Sequence, residues 1–104
     1  MIVYSVRIRV KPGAVIAYRR WLKGHIKQVL KTPGFIRAQT LDQCDQAAKG
    51  YEIILVNYYV KNVRSLTKYL SDFAPRLRQD AFDRFIGKFD TSREVWKKCQ
   101  SFEI

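Results

Sequence analysis

A chain of 104 residues, 47% of them apolar, is long enough to bury one core and too apolar for global disorder. Its formal net charge is +11, and residues 1–41 carry nine Lys or Arg and no acid. No apolar run approaches the roughly 20 residues of a membrane span, and no charged lead precedes a long apolar core. We therefore predict a single cytoplasmic domain over residues 1–104, with no membrane contact.

The first 34 residues predict a strand followed by a helix. Residues 2–10 alternate apolar and polar side chains, which indicates a half-buried β-strand. Lys11-Pro12-Gly13 is typical of a turn. From about residue 14 to 31 the apolar spacing lengthens to three or four residues, which predicts an amphipathic helix. Its core stripe comprises Val15, Tyr18, Leu22, Ile26 and Val29. Thr32-Pro33-Gly34 ends the helix, because Pro cannot continue it and Gly turns the chain.

Two further strands are predicted between residues 35 and 60. Residues 35–43 are more polar than the other strands, which favours a sheet edge, with Phe35 and Arg37 on one side and Ile36 and Ala38 on the other. A polar loop is predicted over residues 42–50. Tyr51–Val60 is apolar on both sides, with Ile53, Leu55 and Tyr59 facing away from Ile54, Val56, Tyr58 and Val60. This pattern predicts a central strand that is covered on both faces.

The remaining chain predicts a broken helix and a last strand. Asn62 is a suitable N-cap for an amphipathic helix. Pro75 breaks a helix interior, so we expect a stop near Phe73 and a restart with Pro75 at the first position. Gly87 ends the second piece, and residues 88–99 predict a mixed strand whose apolar members are Phe89, Val95 and Trp96.

The element order β-α-β-β-α-β predicts an α+β, ferredoxin-like antiparallel sheet with both helices on one face. The doubly apolar central strand then requires cover on the other face as well. Two sheets packed face to face in a homodimer would supply it, as in a dimeric α/β barrel. A ligand or a protein partner on that face is the alternative. Cys44 and Cys99 are expected on opposite sheet edges, about 14 Å apart, as free thiols.

Two stretches carry a resemblance to a known family. The first is Trp21-Leu22-x-x-His25-Ile26 through Leu30-x-x-Pro33-Gly34-Phe35, and the second is Tyr69-Leu70-x-x-x-Ala74-Pro75-Arg76-Leu77-Arg78-x-Asp80 followed by Arg84-Phe85-x-Gly87-x-Phe89 and Arg93. They resemble a family of small bacterial proteins classed as a domain of unknown function. That family is similar to the dimeric α/β-barrel superfamily, which includes antibiotic-biosynthesis-type monooxygenases. Phe73 and Ala81 depart from its pattern, which usually has His and Gly there. The resemblance implies a dimeric barrel and supplies no activity.

His25 is the only histidine of the chain and is a weak candidate for a general base. A structural role beside the core stripe is the competing interpretation. One histidine without a second histidine or a cysteine cluster makes a metal site improbable, so we predict no metal and no cofactor.

Arginines near the restarted helix form a candidate anion site. Arg76, Arg78 and Arg84, with Lys88 and Arg93, could hold a carboxylate or phosphate, because guanidinium groups bind planar anions through paired hydrogen bonds. The alternative is a solvated face that is paired with Asp72, Asp80 and Asp83.

A barrel of this kind can enclose an apolar pocket between helix and sheet. The candidates to line it are Tyr4, Tyr18, Trp21, His25, Asn57 and Tyr59. We therefore predict binding of a small anionic or aromatic ligand or of a protein partner. A cofactor-independent, monooxygenase-like enzyme is the first alternative, although no paired carboxylates or Ser-His-Asp set is visible. A nucleic-acid-binding protein is the second alternative, which the acid-free first 41 residues favour.

Overall fold

The computed structural model describes residues 1–44 and 50–104. Most of the predicted polar loop therefore lies outside the described residues. In chain order the elements are β1 (Ile2–Val10), a 3-10 turn (Pro12–Ala14), α1 (Val15–Val29), β2 (Phe35–Asp42), β3 (Glu52–Val60), α2 (Val63–Asp72), α3 (Ala74–Arg84) and β4 (Phe89–Lys97). This order confirms the predicted ferredoxin-like α+β fold, with the second helix divided in two.

The four strands form one antiparallel sheet in the order β2-β3-β1-β4. Tyr4 pairs with Tyr58 and Val6 with Val56, so the two central strands present their apolar sides to the same face. The prediction that β2 lies at an edge is confirmed. Cys44 and Cys99, which follow the two opposite edge strands, are exposed free thiols.

The core lies between the sheet and the helices, which all pack on one face. Its most deeply buried large side chains are Val10, Val29, Ile54, Val56 and Val60. The predicted stripe of α1 supplies its part of the core, since Val15, Tyr18, Leu22 and Val29 are buried and Ile26 packs against them. Helix α1 begins directly after the Pro12–Ala14 turn, and the chain turns through Gly34 after it ends.

A β-bulge corrects the predicted faces of β2. The register shifts between Phe35 and Arg37, so Phe35 pairs with Val60 while Ala38 pairs with Tyr58. Because Val60 and Tyr58 both face the helices, Phe35 and Ala38 both pack against the core. The prediction that Phe35 and Ala38 point to opposite sides is wrong, since a regular period of two cannot anticipate one extra residue.

The break between α2 and α3 follows the predicted chemistry. The Asn62 side chain accepts a hydrogen bond from the Ser65 backbone N–H at 2.9 Å and caps α2. Phe73 ends α2, and α3 begins at Ala74 with Pro75 in its first turn, where a missing N–H costs no helical hydrogen bond. Around the end of α3, Phe85 is buried, whereas Phe82 and Ile86 are exposed.

The face of the sheet opposite the helices is only partly apolar. Val3 lies between Tyr59 and Trp96 in register, and these three side chains form an apolar row at one end. The next row is polar, with the Ser5 hydroxyl donating to Asn57 Oδ1 at 2.6 Å. Leu55 lies beyond it, opposite Arg7. Within the single chain Trp96 is 52% exposed, so part of this open face is apolar surface in contact with solvent.

Among the helices of the described residues, none combines the length and the apolar character that crossing a membrane requires.

Candidate ligand-binding site

A cavity of about 330 Å³ lies between the helices and the β1–β4 side of the sheet. It arises because the helix-facing side of β4 is poorly covered: Arg93 and Val95 of that side are exposed. Helices α1 and α3 meet above it through one hydrogen bond, in which Trp21 Nε1 donates to Asp80 Oδ2 at 2.7 Å.

Aromatic rings form most of the inner wall. Tyr18 packs against Trp21, Phe85 and Phe89 with centroid distances of 5.4, 5.1 and 5.2 Å. On the sheet side, the Tyr4 ring stacks on Tyr58 at 5.8 Å. Such contacts between rings fix the orientation of each wall residue. These rings line the cavity together with tyrosine hydroxyls and with the polar side chains of His25, Arg78 and Arg93.

The hydroxyls of Tyr18, Tyr58 and Tyr69 stay protonated at neutral pH. Burial raises the pKa of Tyr18 and of Tyr58 far above the usual range of tyrosine. Burial, helped by the neighbouring Tyr4, raises the pKa of Tyr69 to about 12. Tyr18 and Tyr58 can therefore donate a hydrogen bond to a ligand oxygen, but neither is suited to act as a base.

His25 lies in the cavity wall and is neutral at pH 7. Its ring stacks on Trp21 with a centroid distance of 4.6 Å. Burial lowers the pKa of His25 to about 4; the charges of Arg78 and Arg93 add to this, and Asp80 opposes it. A neutral imidazole offers one donor and one acceptor to a ligand, and its low pKa makes it a weak base.

Asp80 is occupied by structural contacts. Besides accepting from Trp21, its Oδ1 accepts from Arg84 Nε at 3.0 Å. These two hydrogen bonds, that of Trp21 first, lower the pKa of the Asp80 carboxyl. Asp80 is therefore an anion that holds α1 against α3 and uses both of its oxygens in contacts within the protein.

Two arginines on the cavity have no carboxylate partner among the described residues. Arg78 Nη2 donates to the Tyr4 hydroxyl at 2.9 Å, and Arg93 Nη1 donates to Thr91 Oγ1 at 2.9 Å. Among residues 1–44 and 50–104, no Asp or Glu forms an ion pair with either guanidinium. Each keeps free N–H donors, because a guanidinium carries five. The cavity thus combines aromatic walls with two uncompensated cations.

Six of the residues predicted for the pocket or for the anion site line this cavity: Tyr4, Tyr18, Trp21, His25, Arg78 and Arg93. Asn57 and Tyr59 do not, because they lie on the open face of β3, where Tyr59 donates to Gln39 at 2.7 Å. Their expected place in the pocket is wrong. Arg76 is exposed outside the cavity, and Arg84 is paired with Asp80 instead of lining it.

Sequence reasoning missed the part that Tyr58 and Tyr69 play in the wall. Both lie in apolar patterns that are typical of a core, and both are buried. For Tyr58 the alternation of the strand gives a signal, because Tyr58 lies on the same face of β3 as Val56 and on the opposite face from Tyr59. No pattern in the sequence distinguishes a tyrosine beside a cavity from one in a filled core.

Within the described part of the chain, no three His, Cys, Asp or Glu side chains converge as a metal site requires.

The lowered pKa of His25 predicts a stability that depends on pH. Between pH 6.5 and 4 the unfolded chain binds a proton at His25 that the folded chain does not, so stability falls as the pH falls. The loss should reach up to about 3 kcal/mol in the free energy of unfolding. Urea unfolding of the wild type and of His25→Gln across this range should show a flatter profile for the variant.

The carboxylates act in a different window. Asp80 and Asp90 have a pKa below the ordinary value of 3.8, so their stabilising contribution is lost only as the pH falls below about 4.

An unchanged profile in His25→Gln between pH 6.5 and 4 would show that His25 is not buried in its neutral form.

The fold is shared by solved structures of proteins that are named as monooxygenases or oxygenases. A candidate antibiotic biosynthesis monooxygenase from Deinococcus radiodurans superposes with a TM-score of 0.76 at 14% identity, covering 100% of this chain and 98% of that one. A second candidate monooxygenase, from Nitrosomonas europaea, has a TM-score of 0.72 at 14% identity, covering 96% and 100%. SnoaB, a cofactor-independent oxygenase from Streptomyces nogalater, has a TM-score of 0.70 at 15% identity, covering 96% and 95%. At these identities the likeness shows the fold alone.

Residues 1–99 match the family described as "Domain of unknown function (DUF4286)", and the chain belongs to this family. The match confirms the resemblance that the Trp21–Phe35 and Tyr69–Arg93 stretches carried. No curated protein matches the chain.

Proposed function

We propose that the cavity binds a small planar aromatic anion, such as an aromatic carboxylate. The observation that carries the proposal is the pair of guanidiniums, Arg78 and Arg93, that face an aromatic-walled cavity without a carboxylate partner among the described residues. A volume of about 330 Å³ is at the lower end of the range of small-molecule sites, which suits a ligand of one or two rings.

Each wall has a role in this proposal. Arg78 is half-buried and is oriented by its hydrogen bond to Tyr4, so its remaining N–H groups can pair with a carboxylate. Tyr18 and Trp21 offer ring faces and edges to an aromatic ligand. His25, neutral at pH 7, can hydrogen-bond to a second polar substituent without adding charge.

The test is a comparison of matched anionic and neutral probes. Isothermal titration calorimetry with 1-naphthoate, salicylate and benzoate, each against its primary amide, should show binding of at least one carboxylate and weaker binding of its amide. Arg78→Gln should weaken binding of the carboxylate by about 10- to 100-fold, because a charge-assisted hydrogen bond contributes about 1.5–3 kcal/mol. The same substitution should weaken binding of the amide much less.

Arg76→Gln is the matched control, since Arg76 is on the same helix but is exposed outside the cavity. It should leave binding unchanged. Arg93→Gln tests the second cation from β4 and keeps the experiment decisive if Arg78→Gln folds poorly. Equal affinity for every carboxylate and its amide, or equal losses in Arg76→Gln and Arg78→Gln, would contradict the proposal.

A second candidate function is oxygenase chemistry in the same cavity. It is favoured by the fold shared with SnoaB and by the presence of the chain's only histidine in the cavity wall. Oxygen uptake with electron-rich phenols should then exceed the rate without protein and should fall in His25→Gln. No uptake with a phenol that binds would leave ligand binding as the function.

We further propose that two copies pack their open sheet faces together in a cytoplasmic homodimer. The row of Val3, Tyr59 and Trp96, and Leu55 beyond the polar row, supply apolar surface on that face. Four strands about 4.8 Å apart and roughly 30 Å long give about 500 Å² per copy, so the total reaches the lower limit of a stable interface. The exposed free thiols of Cys44 and Cys99 suit a reducing compartment.

A further inference from the structure

The outer surface of the helical layer is strongly basic at one end of the molecule. We call this surface the basic patch, and its exposed members are Arg20, Lys23, Lys27, Lys31, Lys61, Arg64 and Lys68. Neither segment that supplies these side chains, residues 15–31 and 61–71, contains an acid. None of the ion pairs among the described residues involves them, whereas Arg19 of the same helix is paired with Asp42 and Glu52.

Helical spacing and a backbone contact make the patch continuous. The four cations of its first part follow one another at intervals of three, four and four residues, which places them along one side of α1 and the turn after it. The end of α1 then meets the start of α2, because the Lys61 N–H donates to the Gly34 carbonyl at 2.8 Å and Gly34 lies against Ser65. Lys61 and Arg64 thereby extend the row from Lys31.

The composition of the patch excludes the partners that need apolar contacts. A protein interface requires aromatic or aliphatic anchors at its centre, and a membrane-surface helix requires an apolar face. Ile16, Ile36 and Val63 are large, exposed apolar residues beside the patch, but they are single side chains spread along it and form no apolar centre. Single-stranded nucleic acid is bound by stacking on exposed aromatic rings, but Tyr18 and Trp21 of α1 face the cavity.

We propose that the basic patch binds the phosphate backbone of double-stranded nucleic acid without reading its sequence. A row of unpaired cations over about 16 Å of helix matches the regular line of charges along a duplex. Lys and Arg that contact only phosphate position a protein on a duplex and carry no base specificity. This surface lies on the outside of the helices, away from the cavity, so the proposal is independent of ligand binding.

Fluorescence anisotropy with two labelled DNA duplexes of unrelated sequence tests the proposal. The wild type should bind both with similar affinity, and that affinity should fall steeply between about 50 and 200 mM salt. Lys23→Glu combined with Lys27→Glu should weaken binding at least tenfold and reduce the slope of log affinity against log salt by about two. Both positions are exposed, and their like-charge spacing on the helix is retained.

The matched control is Lys11→Glu combined with Lys88→Glu. It lowers the net charge equally, but these exposed residues lie at the other end of the sheet, where Val10 pairs with Phe89. The control should change affinity less than threefold. Equal losses in the two variants would show attraction by overall charge and overturn the proposal. So would the absence of duplex binding at about 50 mM salt, whether or not vesicles containing phosphatidylserine bind.

Discussion

Replacing Gly34 with Ala is expected to cost about 3 kcal/mol in the free energy of unfolding. Gly34 has a φ of +88°, which strains any residue with a Cβ, and an added Cβ would meet Ser65 Oγ and Cβ of α2 at less than van der Waals distance. The turn cannot move away, because its carbonyl accepts from Lys61. Thermal unfolding should show a midpoint that is lower by more than about 10 °C.

Gly24→Ala is the internal control for this substitution. Gly24 lies in the middle of α1, and a Cβ there would meet nothing within 4 Å, so the change should stabilise the protein by about 1 kcal/mol. Ser65→Gly separates the clash with Ser65 from the backbone strain. In a protein that carries Ser65→Gly, the substitution Gly34→Ala should lower the free energy of unfolding by less than it does in the wild type. A loss unaffected by Ser65→Gly would mean that backbone strain alone explains the cost.

Leu55→Glu is expected to convert the proposed homodimer into a monomer. In the single chain Leu55 is half-exposed on the open face and lies opposite Arg7, so a glutamate there gains a cross-strand ion pair and the monomer should stay folded. In a dimer both copies would lose an apolar contact and bury a carboxylate. These effects should weaken association at least 100-fold, or about 3 kcal/mol. Sedimentation velocity over a range of concentrations measures the change.

Ile16→Glu is the comparison for Leu55→Glu. Ile16 is 78% exposed on α1, on the side of the molecule away from the open sheet face, so this equally large change in polarity should leave the sedimentation unchanged. A wild type that sediments as a monomer at every concentration would rule out the dimer. The same conclusion follows if Ile16→Glu and Leu55→Glu dissociate the protein to the same extent.

Much of the fold could be predicted because it depends on local periodicity and turn chemistry. The alternation of residues 2–10, the stripe of α1, the Asn62 cap and the break before Pro75 each have a short-range physical cause. The bulge in β2 could not be predicted, since nothing in Phe35-Ile36-Arg37 marks an extra residue. The position of Phe82 and Ile86, which are exposed at the cavity, likewise depends on how α3 packs over the sheet, which local patterns do not encode.

The site was predicted less well, because a cavity is a property of packing between distant elements. Tyr18, Trp21 and Arg78 could be nominated from residue type, but their meeting depends on how α1, α3 and β4 are spaced. Arg78 and Arg84 looked equivalent in the sequence, and only the Asp80 contact separates a paired arginine from a free one. The prediction that Asn57 and Tyr59 line the cavity is wrong because these residues alternate along β3 with Val56 and Tyr58. Since Val56 and Tyr58 face the helices, Asn57 and Tyr59 face the opposite side of the sheet.

The chain's two tryptophans occupy opposite sides of the sheet. Trp21 lies in the cavity wall with its indole N–H bound to Asp80, whereas Trp96 is half-exposed on the open face beside Val3. Their emission spectra should therefore differ, and each reports a different event. In Trp96→Phe the remaining emission follows occupancy of the cavity, and in Trp21→Phe it follows contact between subunits. The two single-tryptophan proteins can thus show whether ligand binding in the cavity changes the contact between subunits on the opposite face of the sheet.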